Sequence, residues 1–156
     1  AHNVIPGEAV LKLSVRALDP KVRATLLRRI EELVDAQARA FGVGWRMERV
    51  TGYPVLVNTP AETEFARRVA TELVGAARVE PQTIALTGSE DFAFMLEQVP
   101  GSYLLIGNGD GSDDGVNGGH GACMVHNPSY DFNDANLPVG AAYWTLLTER
   151  FLTDSA

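Results

Sequence analysis

The stretch Glu8-Ala-Val-Leu-Lys-Leu-Ser-Val-Arg-Ala-Leu18, with the Asp19-Pro20 pair after it, decides the fold predicted for the first part of the chain. Apolar side chains recur at every second position from Ala9 to Ala17, which is the pattern of a half-buried strand. Aspartate is favoured as a helix N-cap, and proline is favoured at the first helical position. The sequence therefore predicts a strand that leads directly into a helix.

That helix is predicted to run from Pro20 until Gly42 ends it. Its apolar residues recur at helical spacing, and the predicted inner stripe is Val22, Leu26, Ile30, Leu33, Val34, Ala38 and Phe41. Alternation returns at Val43–Met47, which indicates a second strand. A strand, a helix and a strand predict a small sheet with one helix layer, and the pattern breaks at Gly52-Tyr53-Pro54, where we place a domain boundary.

The rest of the chain predicts further helices and short strands. Thr59-Pro60-Ala61-Glu62 is typical of a capping box, in which the Thr59 hydroxyl accepts a hydrogen bond from the backbone of Glu62. The predicted elements are a helix from there to about Val74, a strand at Ile84–Thr87, a helix at Glu90–Gln98 capped by Ser89, a strand at Tyr103–Ile106 and a helix from about Pro138.

Composition excludes several classes of function. Of the 156 residues, 46% are hydrophobic and 21% are charged, as in ordinary globular proteins. The net charge of −7 argues against nucleic acid as a partner, because phosphate binding depends on clustered Lys and Arg. No apolar run suits a membrane helix and no secretory leader is visible, so we expect no membrane partner and a cytoplasmic location. Cys123 is the only cysteine, which rules out an internal disulfide.

The segment His120-Gly-Ala-Cys123-Met-Val-His126 carries potential metal ligands. Its His, Cys and His could bind one zinc ion, with water or Asp131 as the fourth ligand. Alternatively, His126 is a single ligand in a site built with other segments, or a hydrogen-bonded structural residue. The glycine-rich stretch Gly107–Gly121 just before it lacks the helix of a dinucleotide site and the final Glu of a calcium loop, so a mobile surface loop is favoured.

The turn Thr87-Gly-Ser-Glu-Asp91 precedes a predicted helix. Unpaired N–H groups at a helix start favour an anion, but Glu90 and Asp91 already provide negative charge there, so simple capping is the alternative. An acid–base pair of these two carboxylates is disfavoured because neighbouring helical residues diverge.

Seven segments, in this order, resemble one known family. They are Asn3-Val-Ile-Pro6, Tyr53-Pro-Val-Leu-Val-Asn58, Gly88-Ser-Glu-Asp-Phe92, Pro100-Gly101, Gly107-Asn-Gly109, His126-Asn-Pro-Ser-Tyr-Asp-Phe-Asn-Asp134 and Leu137-Pro-Val-Gly-Ala-Ala-Tyr-Trp144. The chain resembles the C-terminal portion of the metal-dependent amidohydrolases that include hippurate hydrolase and the auxin–amino acid hydrolases.

The resemblance implies a mixed α/β fold in two parts. Residues 1–53 would form the second half of an inserted ferredoxin-like lid domain, which often mediates dimers. Residues 54–156 would form the C-terminal segment of the α/β metallopeptidase catalytic domain. A homodimer through the lid, or association with a missing N-terminal half, is the implied assembly.

The resemblance also implies roles for individual residues. His126 matches the last metal ligand of the family, and Asn3 and Ser89 match positions that contact substrate. Asp131 would orient the His126 imidazole by accepting a hydrogen bond from its second ring nitrogen. The remaining ligands and the Glu that serves as general base are expected upstream of Ala1, so no catalytic residue is expected in this chain, and alone it should be inactive.

The implied reaction is metal-assisted hydrolysis of the amide bond in an N-acyl amino acid, a small molecule. Two divalent ions, zinc or manganese, would polarise the carbonyl group and activate water, while a carboxylate shuttles the proton. Two other classes remain open: a non-catalytic dimerisation or binding module, and a small mononuclear zinc protein that uses His120, Cys123 and His126.

Overall fold

The computed structural model describes residues 2–109 and 123–154 of the chain. The helices are α1 at Pro20–Phe41, α2 at Pro60–Val74, α3 at Phe92–Leu96 and α4 at Asn136–Asp154, with a 3-10 turn at Ala76–Arg78. The chain divides into a first unit, residues 1–56 with 84–94, and a second unit, residues 57–83 with 95–156. No helix in the described ranges is long and apolar enough to cross a membrane.

Helix α1 begins and ends where the sequence predicts. The Asp19 carboxylate accepts hydrogen bonds from the backbone N–H groups of Lys21 and Val22 at 2.7 and 3.4 Å. Gly42 follows the last turn with φ 66°, the left-handed conformation that glycine adopts readily after a helix. The predicted cap and the predicted stop are both confirmed.

The apolar stripe of α1 is only partly covered. Ala38 is 6% exposed, whereas Val22, Leu26 and Leu33 are 49%, 40% and 56% exposed. Phe41, at the end of the stripe, is 77% exposed, so the prediction that the whole stripe faces a core is wrong for these four residues. The physical reason is that the sheet expected to cover this face is not formed.

The predicted strands are the main difference from the sequence analysis. Residues 2–109 and 123–154 contain no strand, so the α/β class and the ferredoxin-like lid are not confirmed. An alternating or apolar pattern specifies which side chains would be buried, but a strand exists only when a neighbouring strand accepts and donates its backbone hydrogen bonds. The segments concerned are residues 8–18, 43–47, 84–87 and 103–106.

Helices α2 and α4 pack together and form the core of the second unit. Val69 is 2% exposed, and the rings of Phe65 and Phe151 meet edge to face with centroids 6.3 Å apart. The Tyr143 hydroxyl donates to the carbonyl oxygen of Ala66 at 3.3 Å, and burial raises the pKa of that hydroxyl. Packing of an amphipathic face, rather than helix propensity, therefore stabilises these helices.

Helix α2 has its predicted bounds but a different N-terminal contact. The Thr59 hydroxyl makes no cap hydrogen bond to the helix. It accepts from the backbone N–H of Gly101 at 2.8 Å and donates to the carbonyl oxygen of Gly101 at 2.9 Å. The predicted capping box is therefore wrong on the Thr59 side, because a more distant backbone segment takes the hydroxyl.

The carboxylate of Glu62 still faces the start of α2. The Thr59 hydroxyl and the backbone N–H of Glu62 lower the pKa of the Glu62 carboxyl below its usual value. An acidic side chain in the first helical turn also opposes the positive end of the helix dipole. Glu62 thus stabilises the helix start without completing the box.

Candidate functional site

His126 lies at the corner of a tight turn. The backbone N–H of Asn127 donates to the carbonyl oxygen of Met124 at 3.2 Å, which places Val125 and His126 in the two central positions. His126 has φ 73°, and among the described residues it is the only one other than glycine with a positive φ. Turns with a positive φ at the second central position usually carry glycine or asparagine there.

The imidazole of His126 is exposed. An uncommon backbone conformation at a non-glycine residue is a reason to examine that residue for function, because such strain collects at ligand and active sites. The sequence analysis singled out the same residue as a metal ligand. The predicted ligand is therefore an exposed side chain, and its role as a metal ligand stays a prediction.

The chain after this turn folds back on itself before α4 begins. The side-chain oxygen of Asn127 accepts from the N–H of Ser129 at 2.8 Å. The rings of Tyr130 and Phe132 then meet edge to face at 4.8 Å between centroids. These local contacts give residues 126–132 a defined path, which we call the His126 loop.

Asn108 joins the His126 loop to the apolar run that precedes the glycine-rich segment. Its side-chain Nδ2 donates to the carbonyl oxygen of Asp131 at 2.6 Å, and its Oδ1 accepts from the N–H of Asn133 at 2.9 Å. Asn136, the first residue of α4, donates from Nδ2 to the carbonyl oxygen of Gly107 at 2.8 Å. Two of the segments that carry the family resemblance are thus hydrogen-bonded to each other.

Asn58 makes the same kind of contact at the other end of that run. Its Oδ1 accepts from the backbone N–H of Tyr103 at 2.8 Å, and its Nδ2 donates to the carbonyl oxygen of Tyr103 at 2.9 Å. A side-chain amide has one donor group and one acceptor. It can therefore bond to both the N–H and the carbonyl oxygen of one residue, as a neighbouring strand would. The sequence analysis included both asparagines only as members of family segments and predicted no contact for either, although each borders an apolar segment where a polar residue needs a partner.

The described residues do not complete a metal site. Across residues 2–109 and 123–154, no group of three or more His, Cys, Asp or Glu side chains is arranged to hold an ion. Cys123 is a half-buried free thiol. His120 and residues 110–122 lie outside the described residues, so the three-ligand zinc hypothesis with His120, Cys123 and His126 stays a prediction.

The two predicted substrate contacts, Asn3 and Ser89, are exposed and belong to the first unit, whereas His126 belongs to the second. No hydrogen bond joins Asn3 to Ser89. Both assignments therefore stay predictions.

The helix predicted at Glu90–Gln98 is shorter than expected and has another cap. It spans Phe92–Leu96 as α3, and the Glu90 carboxylate, not Ser89, accepts from the N–H of Phe92 at 3.2 Å. The longer glutamate side chain reaches the helix start from within the preceding turn. This favours capping over an anion site at that turn.

The segments described above contain the residues on which the family resemblance rests, and a comparison with family models identifies the family. The chain belongs to the peptidase family M20/M25/M40, whose family model matches residues 6–150. The family predicted from the seven segments is thereby confirmed.

Individual relatives carry matching names. The chain is 32% identical over 152 residues to hippurate hydrolase of Campylobacter jejuni, a match that covers 97% of this chain and 37% of that protein. It is 33% identical over 142 residues to a putative amidohydrolase of Bacillus subtilis, covering 89% of this chain and 33% of that one. It is 28% identical over 160 residues to an IAA-amino acid hydrolase of Arabidopsis thaliana, covering 100% and 35%.

The chain spans about a third of the length of these curated relatives. No solved structure matches it.

Proposed function

We propose that this chain is part of a metal-dependent amidohydrolase that hydrolyses the amide bond of N-acyl amino acids, with His126 as one metal ligand. Membership of a hydrolase family supports the reaction class. The names hippurate hydrolase and IAA-amino acid hydrolase support an amide that joins an acyl group to an amino acid. The acyl group of the substrate is not part of the proposal.

The observation that carries the proposal is the conformation of His126. Its positive φ puts an exposed imidazole at the corner of a hydrogen-bonded turn. A histidine kept only for packing would be better accommodated with a negative φ, since L side chains rarely adopt the left-handed region. A ligand role explains why this position carries histidine rather than glycine.

The residues that the structure describes do not fit two divalent ions by themselves. They offer the exposed imidazoles of His2 and His126, and no cluster of three potential ligands. The hydrolytic step therefore cannot be assigned to residues 2–109 and 123–154. The proposal requires that the other ligands of a zinc or manganese pair, and the carboxylate that moves the proton, come from residues outside these ranges or from another polypeptide.

A zinc titration of the 156-residue chain tests the role of His126 in binding. One imidazole and a neighbouring donor should bind zinc weakly, and His126→Gly should remove that binding without unfolding the turn, because glycine favours a positive φ. Cys123→Ala is the control and should bind as the wild type does. Tight binding of one zinc ion that Cys123→Ala abolishes would overturn the proposal in favour of the mononuclear zinc protein.

Hydrolysis of hippurate tests whether this chain holds a complete centre. With added zinc or manganese, residues 1–156 alone should show no activity above the metal-only reaction. In a polypeptide that carries the remaining ligands, His126→Gly should lower kcat/KM more than about 100-fold, since loss of a group that only hydrogen-bonds to a metal ligand already costs roughly 10–100-fold. Hydrolysis by residues 1–156 that His126→Ala removes would show that the centre is complete here.

The proposal includes the two substrate contacts that the resemblance implies. Asn3 and Ser89 are exposed, as contacts to a small molecule require in the free protein. Asn3→Ala and Ser89→Ala should each raise KM for hippurate and leave the bound metal content unchanged in the complete enzyme. A fall in metal content with KM unchanged would contradict a role of Asn3 and Ser89 in substrate binding.

We also propose that residues 1–53 act as the lid and associate with a second copy, while residues 54–156 belong to the catalytic domain. Exposure of Leu26 and Leu33 on α1 supports an apolar contact on that part of the chain. Light scattering should give a dimer mass that Leu33→Glu reduces to a monomer, with Glu64→Ala as an exposed control. A monomer at all concentrations contradicts this assembly. The cytoplasmic location stays a prediction.

A further inference from the structure

Asn108 has contacts that set it apart from the other side chains near the His126 loop. One amide group bonds to the backbone at both Asp131 and Asn133, at 2.6 and 2.9 Å. A single side chain therefore fixes the two ends of a three-residue backbone segment. This segment contains the end of the His126 loop and leads towards α4.

The hydrogen bonds continue from that segment into α4. The side-chain oxygen of Asn133 accepts from the N–H of Ala135 at 3.1 Å, and its carbonyl oxygen accepts from the N–H of Asn136 at 2.9 Å. Asn136 in turn donates to Gly107, the neighbour of Asn108. The start of α4 and the end of the His126 loop are thus attached to the same two residues.

The other end of the apolar run is attached to the start of α2. Asn58 holds the backbone of Tyr103, and Thr59 holds Gly101 through its hydroxyl and its backbone N–H. The run 101–108 therefore connects the start of α2 to the His126 loop. Asn108 is the last group in this connection before the loop.

We propose that Asn108 is a positioning residue that sets where the His126 imidazole lies. The inference rests on the proposed function for its purpose, because a position matters only if His126 binds something. The effect of Asn108 on the backbone does not depend on a bound metal. With Asn108 in place the His126 turn has one arrangement, and without Asn108 the turn samples several.

Asn58 provides a matched control. It makes the same two kinds of hydrogen bond, at 2.8 and 2.9 Å, to the opposite end of the same run, and it is bonded to Tyr103 rather than to the His126 loop. Asn58→Ala and Asn108→Ala thus remove equivalent hydrogen bonds from side chains that are both half-buried. A merely structural role would give both variants the same consequences.

NMR on the full 156-residue chain without metal provides the measurement. Exchange of the Asn127 N–H, which closes the His126 turn, should rise roughly tenfold in Asn108→Ala, as expected when two side-chain hydrogen bonds are lost. The signals of the His126 imidazole should shift and broaden. In Asn58→Ala both readouts should match the wild type, and exchange of the Val69 N–H within α2 should change less than about twofold in Asn108→Ala.

Asn108→Asp keeps the experiment decisive if the alanine variant fails to fold. Aspartate has the same size and still accepts from Asn133, but it turns an oxygen instead of an N–H towards the carbonyl of Asp131. It should increase exchange at Asn127 and displace the imidazole signals. Unchanged readouts in Asn108→Asp, or equal changes in the Asn58 and Asn108 variants, overturn the inference.

The two proposals fail separately. If His126→Gly leaves zinc binding and hydrolysis intact, the proposed function fails, whatever Asn108 does to the turn. If the Asn108 variants leave the turn and the imidazole signals unchanged, the positioning role fails, and His126 can still be a ligand.

Discussion

The two units are stabilised in different ways. In the second unit, α2 and α4 bury Val69 and bring the rings of Phe65 and Phe151 together. In the first unit, α1 is held largely by polar contacts at its surface, such as the hydrogen bond from Trp45 Nε1 to Asp35 at 3.2 Å. Exposed polar pairs stabilise a fold by only about 0–1 kcal/mol each, whereas buried apolar side chains contribute more.

The apolar stripes of α1 and α2 look alike in the sequence but differ in burial. The apolar stripe of α2 finds a partner helix within its own unit, whereas part of the stripe of α1 stays exposed. The chain contains two tryptophans, Trp45 in the first unit and Trp144 in the second. Single-tryptophan variants can therefore follow each unit by itself.

The largest expected effect comes from Val69→Ala. Removing two methyl groups from a side chain that is 2% exposed should lower the free energy of unfolding of the second unit by about 2 kcal/mol. Leu33→Ala, at a side chain that is 56% exposed, should change stability by less than about 0.5 kcal/mol. Urea unfolding followed by Trp144 and Trp45 fluorescence measures both, and equal losses would contradict the contrast between the units.

Thr59→Ala should have the next largest effect. It removes both hydroxyl contacts to Gly101 and should lower the free energy of unfolding of the second unit by about 1–2 kcal/mol. Thr59→Ser keeps the hydroxyl and should be close to wild type. If serine is as harmful as alanine, the contact to Gly101 is not what Thr59 contributes. Urea unfolding followed by Trp144 is the measurement.

Asp19→Ala tests the first unit. Loss of the N-cap should lower the stability of α1 by about 1 kcal/mol. Because the Asp19 carboxylate accepts hydrogen bonds from Lys21 and Val22 within the first unit, the Trp45 transition should move and the Trp144 transition should not. Asp19→Asn, which can still accept these bonds, is the control. An equal movement of both transitions would show that the units do not unfold separately.

The smallest expected effect concerns pH. The hydrogen bond from the Arg150 guanidinium lowers the pKa of Glu72 below its usual value of 4.5. A carboxyl with a lowered pKa in the folded state stabilises it above pH 4.5, and this contribution is lost as pH falls through the folded pKa. Both side chains are nearly half exposed, so solvent screens the pair and the change is small.

The urea midpoint of the Trp144 transition should therefore fall slightly more between pH 6 and pH 3 in the wild type than in Glu72→Gln. Parallel curves for the two proteins would mean that the Arg150 contact does not influence folding.

The helices could be predicted from the sequence because their signals are local. Asp19-Pro20 and Gly42 carry the start and stop of α1 within the sequence itself, and Pro60 marks the start of α2. A strand depends on hydrogen bonds to a neighbouring strand. Residues 8–18 have the alternating pattern of a strand but form none in the structure. The Thr59 hydroxyl was assigned to its own helix, because nothing in the sequence reveals that Gly101 lies beside it.

The candidate site could be predicted only in part. His126 was singled out by its chemistry and by the segment that contains it, but its positive φ could not be foreseen, since histidine does not require one. Asn58 and Asn108 were seen only as members of family segments. The hydrogen bonds of Asn58 reach a residue 45 positions away in the sequence, and those of Asn108 reach residues up to 25 positions away. Only the fold brings residues with such sequence separations together.

The backbone of residues 8–18 has a consequence for handling the protein. No backbone hydrogen bond joins this stretch to another described segment, and Val10, Leu11 and Leu13 are 73%, 80% and 67% exposed. Apolar stretches with strand-forming residues and unsatisfied main-chain groups are templates for intermolecular pairing and aggregation. Lys12 is the single charged gatekeeper between these apolar side chains, and its replacement by valine should make the purified chain precipitate at lower concentration.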